Sequence, residues 1–235
     1  MNKSTLVAAA CFCSLYTAAA QPSAAQAPAG ASADMQAMAQ QFGVSAKQNA
    51  AALKMYTWKM RVEVSLKGEA KPAKLFQMRF DADGKLQKTS LTQAAPPSQP
   101  QRGLKGRIVA KKTAEMKDYV EDLAELCKGY LTPSPALLQA FFSRVMTAQA
   151  PGGWVQLYAT DVIAKGDKLV YEIDPKTQAI HRVLFTATLD EDPVDGTVEF
   201  ATVGGGGPNY AARTTVNAPG KKLTGKIENF EYARQ

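Results

Sequence analysis

Hydrophobic and polar positions alternate without a break over residues 57–67. Trp58, Met60, Val62, Val64 and Leu66 fall on one side, and Lys59, Arg61, Glu63, Ser65 and Lys67 on the other. A period of two over that length predicts a long antiparallel strand with one buried and one wet face. The same alternation over 73–80 predicts a second strand burying Phe76, Met78 and Phe80. The Asp81-Ala82-Asp83-Gly84 turn then returns the chain as a third strand over 85–92. In the last third, strands are predicted over 154–163, 168–173, 179–189, 197–203, 210–216 and 222–232. Turn chemistry separates them at 174–177 and 192–196, and glycines 204–207 form a hairpin tip.

Other stretches repeat at steps of three and four. Over 108–130, Val109, Met116, Tyr119, Val120, Leu123, Leu126, Cys127 and Tyr130 make one apolar stripe, which predicts a helix. Ser134 followed by Pro135 is a helix cap with proline at the first position, where its missing N–H costs nothing. That segment carries Leu137, Leu138, Phe141, Phe142, Val145 and Met146 and is expected to stop at Pro151-Gly152-Gly153. Ahead of the first strand, Asp34 caps a short helix bearing Met35, Met38 and Phe42, and Gly43 breaks it. Ser45-Ala46-Lys47-Gln48 then reads as a capping box that opens a second helix ending near Tyr56. Helix, three strands, two helices and six strands, with no internal repeat, predict an α+β fold on a large curved antiparallel sheet.

The N-terminus changes the setting. Lys3 precedes an uncharged, Ala- and Leu-rich run that ends in Ala18-Ala19-Ala20, the pattern of an export signal cleaved after Ala20. The run is too short and too rich in Ser and Thr for a membrane span. Residues 21–33 are small and Pro-rich and read as a disordered leader, which leaves 34–235 as one domain with a helical insertion at about 108–150. Cleavage removes Cys11 and Cys13, so Cys127 has no partner for a disulfide and the fold must stand on its apolar core. The formal charge of +7, or +6 without Lys3, would raise nucleic acid as a partner in the cytoplasm. Outside it, an anionic envelope surface is the more sensible partner, and a monomer is the default.

Candidate chemistry is sparse. His181 is the one histidine, expected with Val183, Phe185 and Leu189 at the edge of an apolar face. Cys127 sits on a helical apolar stripe with nothing nearby to lower its pKa. Neither metal-ligand spacing nor a phosphate loop occurs, so no metal and no cofactor is expected. Glu63, Glu172 and Glu199 lie on strands and are expected on wet faces; a hydrolytic pair among them would be a matter of distance. The loop over 93–107 is long and Pro-rich, and with the helix start it gathers Arg102, Lys105, Arg107, Lys111 and Lys112, a candidate contact for an anionic partner. Bulky apolar side chains are the other candidate: Trp58, Met60, Val62, Val64, Phe76, Met78 and Phe80 on the early strands, Phe141, Phe142 and Met146 on the helical segment, and Val183 and Phe185 later. Flexible methionines and aromatics suit an adaptable apolar cavity, although the same residues also suit an ordinary core.

The helix leading into Tyr56-Thr57-Trp58-Lys59-Met60-Arg61-Val62-Glu63-Val64, the Phe80-Asp81-Ala82-Asp83-Gly84-Lys85 hairpin, the helical insertion and the final Asn229-Phe230-Glu231-Tyr232 together resemble the LolA- and LolB-like lipoprotein carriers of the bacterial periplasm. The resemblance implies an open antiparallel half-barrel whose concave apolar side is covered by helices, and a non-enzymatic protein that binds a lipid or lipoprotein acyl chain. Two other readings stay open. One is an envelope structural or interaction protein that presents its sheet face and basic loop; the other is an exported hydrolase with paired carboxylates.

Overall fold

A computed structural model of the chain describes residues 33–92, 104–132 and 134–235. The expected export signal, all but the last residue of the expected leader, and the loop over 93–103 with Arg102 lie outside these residues. Among the described residues, α1 (Ala33–Leu53) leads into β1 (Tyr56–Leu66), β2 (Glu69–Ala70), β3 (Lys74–Phe80) and β4 (Leu86–Ser90). Next come α2 (Leu104–Leu131), α3 (Pro135–Phe142), β5 (Met146–Gln149), β6 (Val155–Thr160) and β7 (Lys168–Ile173). The chain ends with β8 (Ile180–Leu189), β9 (Asp192–Thr202), β10 (Asn209–Ala218) and β11 (Leu223–Arg234).

All strands join one antiparallel sheet in the order β4-β3-β1-β11-β10-β9-β8-β7-β6-β5, with β2 paired to β1. The path does not close, so the architecture is the α+β fold on a curved antiparallel sheet that the alternation predicts, in the open half-barrel form that the resemblance implies. Three register irregularities bend it. Glu231 and Tyr232 together face Trp58, Ala212 is an extra residue on β10, and His181 is an extra residue on β8. An extra residue bends its strand and deepens the local twist, which curls an open sheet toward a barrel.

The register puts apolar residues on one face. Met60 opposes Phe76, Trp58 opposes Met78, Tyr171 opposes Leu157 and Val183, and Val183 opposes Val198. The opposite face carries a polar row that crosses seven neighbouring strands in register, Gln156 followed by the charged Glu172, Arg182, Glu199, Arg213, Glu228 and Arg61. Arg182 bonds Glu172 at 2.8 Å, Arg213 reaches Glu199 at 3.2 Å and Glu228 at 3.4 Å, and Arg61 pairs with Glu228. Directly opposed unlike charges stabilise a pair of strands and disfavour the slipped alternative.

Four expectations about elements are corrected. Gly43 does not break α1, which runs unbroken through it. Glycine costs about 1 kcal/mol there relative to alanine, less than what holds the helix down. Met38, Ala39 and Phe42 pack on the core, and the Asn49 amide grips Asn209 twice, donating to its carbonyl at 2.7 Å and accepting from its N–H at 2.6 Å. The third helix is shorter than expected. Ser134 caps it as predicted, accepting from the Leu137 N–H at 3.1 Å, but it ends at Phe142. Pro151-Gly152-Gly153 is then the turn of a hairpin, with Gly152 and Gly153 both at φ +84°, and residues 146–149 pair with β6. Residues 104–107, expected in a loop, form the first turn of α2.

The fourth correction concerns 192–196, which is strand and not turn. The chain reverses one step earlier, at Asp190 (φ +50°) and Glu191 (φ +66°), the two positive-φ positions of a tight hairpin. Pro193 lies beyond the last β9–β10 pair, Asp195 with Asn217, so its missing N–H interrupts no ladder on that side. Gly196 makes room for Phe185, directly opposite on β8: a Cβ at Gly196 would come within 2.1 Å of that ring.

Phe185 in turn stacks on Tyr130 of α2, with centroids 4.8 Å apart and planes 4° from parallel. The Tyr130 hydroxyl donates to Asp167 at 2.7 Å. The same carboxylate accepts the backbone N–H groups of Val162 (2.7 Å), Ile163 (2.8 Å) and Ala164 (2.9 Å), which ties the β6–β7 loop to α2. Burial pushes Asp167 up, but these four bonds outweigh it and hold its carboxyl below the ordinary value. Its contribution is therefore complete above an unfolded carboxyl's pKa of about 3.9 and is lost as pH falls through the lower folded value. Asp167→Asn is expected to cost about 1–3 kcal/mol at pH 7. Urea titrations should show that deficit shrinking below about pH 4; a deficit constant down to pH 2 would mean the charge is not involved. Gly196→Ala should cost about 1–3 kcal/mol through the displaced Phe185 ring, read as a lower denaturant midpoint.

Candidate functional site

The expected apolar residues are not one site but two clusters on the same inner face. In the first, α2 supplies Tyr119, Leu123, Cys127 and Tyr130, α3 supplies Leu137, Phe141 and Phe142, and the sheet supplies Leu157, Tyr171, Val183, Phe185 and Val198. Helix α1 adds Met38 and Phe42 from its margin. Helices pack chiefly on this half: α2 against β8, α3 against β6, and α1 against β10 and α3. Phe141, Phe142, Val183 and Phe185 thus meet as expected, with Val64 at the edge.

The second cluster lies across β3, β1 and β11 and contains Trp58, Met60, Phe76, Met78, Phe80 and Ile227, with Val62, Leu86 and Tyr232 packed against it. No helical side chain belongs to it among the described residues. The Trp58 indole lies parallel to Tyr232, 5° apart at 5.4 Å, and donates to the Asn229 side chain at 3.1 Å. Asn229 then donates to the Ala211 carbonyl at 2.8 Å, where the β10–β11 ladder has already ended. The Lys88 ammonium sits 3.9 Å above the Phe76 ring.

Met146 joins neither cluster. It pairs with Tyr158 on edge strand β5 and is 47% exposed, because the helix expected to carry it ends at Phe142. Of the basic group, Lys105 and Arg107 fall in the first turns of α2, and Lys111 and Lys112 are exposed. Lys111 faces Glu115 at 3.8 Å and Lys117 faces Glu121 at 3.3 Å, so this stretch of helix is mixed in charge, not a basic surface. Between Ala110 and Asp118 only Met116 escapes full exposure.

The carboxylates depart from expectation at Glu172. It was expected to be solvated and is 2% exposed, held by Gln156 at 2.9 Å and Arg182 at 2.8 Å. Burial raises its pKa, but those bonds and the charges of Arg182 and His181 outweigh this and keep it ionised. Beside it His181 occupies the extra position of its bulge, which removes it from the Val183 face, and its ring stacks on Trp154 at 4.1 Å. Glu199 pairs with Arg213, and Glu63 reaches Arg61 at 3.3 Å. Each of the three carboxylates is thus engaged by an arginine, and Arg182 lies between Glu172 and Glu199. Among the described residues no group of His, Cys, Asp and Glu could hold a metal ion, and no helix is long and apolar enough to cross a membrane.

Sequence reading missed Tyr171, and it placed Tyr130 on the helical stripe without its carboxylate partner. On β7 the run Leu169 to Ile173 is buried on both faces, which erases the alternation that would have marked Tyr171 as inward. Its ring is met edge-on by Phe42 at 5.3 Å and by Phe141 at 5.1 Å. Its hydroxyl is buried without a hydrogen-bond partner, and burial pushes its pKa up.

No family model and no curated protein matches the chain. Solved structures similar to it include a DUF1329 family protein from Desulfovibrio piger, at 10% identity and TM-score 0.38, covering 86% of this chain and 91% of that one. A proposed outer membrane lipoprotein-sorting protein domain from Vibrio parahaemolyticus is similar at 10% identity and TM-score 0.41, covering 84% and 93%. A LolA superfamily protein from Nitrosomonas europaea is similar at 10% identity and TM-score 0.37, covering 84% and 93%.

The Asn49 grip is the polar attachment of α1 to the sheet beside the first cluster. Asn49→Ala should lower stability by about 1–2 kcal/mol. It should also speed amide hydrogen exchange across α1 while leaving β8 and β9 protected; equal protection in both proteins would assign the docking to Phe42 and Met38 alone.

Proposed function

We propose that the chain is an exported, non-enzymatic binding protein that holds an acyl chain or similar apolar ligand on the inner face of its half-barrel. The observation that carries this reading is the division of that face into two apolar clusters, only one of which contains helical side chains among the described residues. The second is lined by methionines and aromatics, which adapt to irregular and flexible guests. An acyl chain matches such a lining because its binding energy comes from length alone. A twelve-carbon chain offers on the order of 0.8 kcal/mol per buried methylene, so burying all of it supplies about 8 kcal/mol, the scale of micromolar affinity, before the costs of association.

Export rests on the N-terminal pattern of Lys3, an apolar run and Ala18-Ala19-Ala20. The carboxylates support a non-enzymatic reading, since Glu63, Glu172 and Glu199 are each tied to arginine. Protein extracted gently from its own envelope should carry a co-purifying lipid in native mass spectrometry. The delipidated chain should take up laurate with a negative heat-capacity change, the mark of buried apolar surface. A chain that emerges empty and takes up no laurate would rule the reading out.

A further inference from the structure

Among the described residues, the buried hydroxyls of Tyr119 and Tyr171 lack a hydrogen-bond partner. Tyr119 is at the rim of α2, with the Lys221 ammonium 5.1 Å from its ring centroid. Tyr171 is deeper, 3% exposed at the centre of the first cluster. Strand side chains stand about perpendicular to their sheet, so its phenol oxygen is carried away from β7 toward the helices. Phe42 of α1 and Phe141 of α3 meet the ring with their planes turned 67° and 86° to it. A phenylalanine would make the same ring contacts without stranding a polar group. The contrast with Tyr130 is direct: that phenol is equally enclosed, yet the fold supplies it with Asp167. Buried donors left unpaired are rare, and each calls for an explanation, whether an ordered water or a group of a ligand.

We infer that the Tyr171 hydroxyl donates a hydrogen bond to the carbonyl oxygen of an acyl ligand seated between β7 and helices α1 and α3. The inference rests on the apolar-binder reading and extends it to the helix-covered half of the inner face, since it names an acyl carbonyl, from a fatty acid or a lipid ester, as the group recognised there. Phe42 and Phe141, which meet the ring, offer an acyl chain only apolar contact. A single donor in that setting fixes where the polar end of the ligand lies, because leaving either the phenol or the carbonyl dry and unpaired is costly.

The test compares the delipidated full chain with Tyr171→Phe, measuring binding of laurate, methyl laurate and dodecane by calorimetry and native mass spectrometry. Tyr171→Phe should weaken laurate and methyl laurate about tenfold and leave dodecane unchanged. Weakening of both points to an ester or acid carbonyl, and weakening of laurate alone to the free acid. Without ligand the variant should melt no lower than the parent. A second measurement needs no variant: the carbonyl stretch of isotope-labelled methyl laurate should move to lower frequency on binding to the parent chain. Equal binding of all three probes by both proteins, with an unshifted carbonyl, would overturn the inference and leave the hydroxyl to an ordered water only. The apolar-binder reading would survive that result, whereas no binding of any probe by either protein would overturn both.

Discussion

In an antiparallel sheet, sliding one strand by a single residue exchanges its two faces, so a half-barrel with one greasy side exists only while every strand holds its place. Here the charges from Glu172 to Arg61 alternate in sign from strand to strand, and a slip anywhere along that row brings mismatched side chains face to face. Most of these pairs are partly exposed and individually weak. Glu172 is the exception: its burial makes a lost partner far more costly than in solvent. Two of the bulges adjoin the row, at Ala212 beside Arg213 and at His181 beside Arg182. The bend of the sheet is thus set where its register is fixed.

From that arrangement follows the crowding of the opposite face. Aromatics and methionines converge as the sheet curls, and the helices take up only part of what converges. One tyrosine in the helix-covered half is provided with a carboxylate, while another keeps a bare hydroxyl. Packing that satisfies one phenol and strands its counterpart is asymmetric in a way that a core serving only stability would not require.

Much of the architecture was legible because it is local. The alternation over 57–67 and 73–80 gave β1 and β3 with their inward residues, and Ser134-Pro135 gave the start of α3. The failures came where a local signal competed with a distant partner. Asp192-Pro193-Val194-Asp195-Gly196 has turn composition, but Gly196 is needed under Phe185 and Pro193 falls where β10 has ended. Val145 and Met146 continue a helical spacing, yet Pro151-Gly152-Gly153 folds that stretch back onto β6. Gly43 is a poor helix residue, but packing by Phe42 and the grip of Asn49 lie on either side of it. Apart from Met146, the apolar candidates fall in or against the two clusters. Their separation into two clusters depends on strand order, which no stretch of sequence states.

The sheet never closes, and its two rims are β4 with five residues and β5 with four, the shortest strands along its path. Unpaired backbone at the rim of an open sheet is a template on which further strands can grow. Short rims leave few such groups, so a neighbouring molecule finds little ladder to extend. The fold therefore stays finite by tapering instead of by closing, and it keeps the seam that a sealed barrel would lack, through which a chain-like guest could slide in sideways.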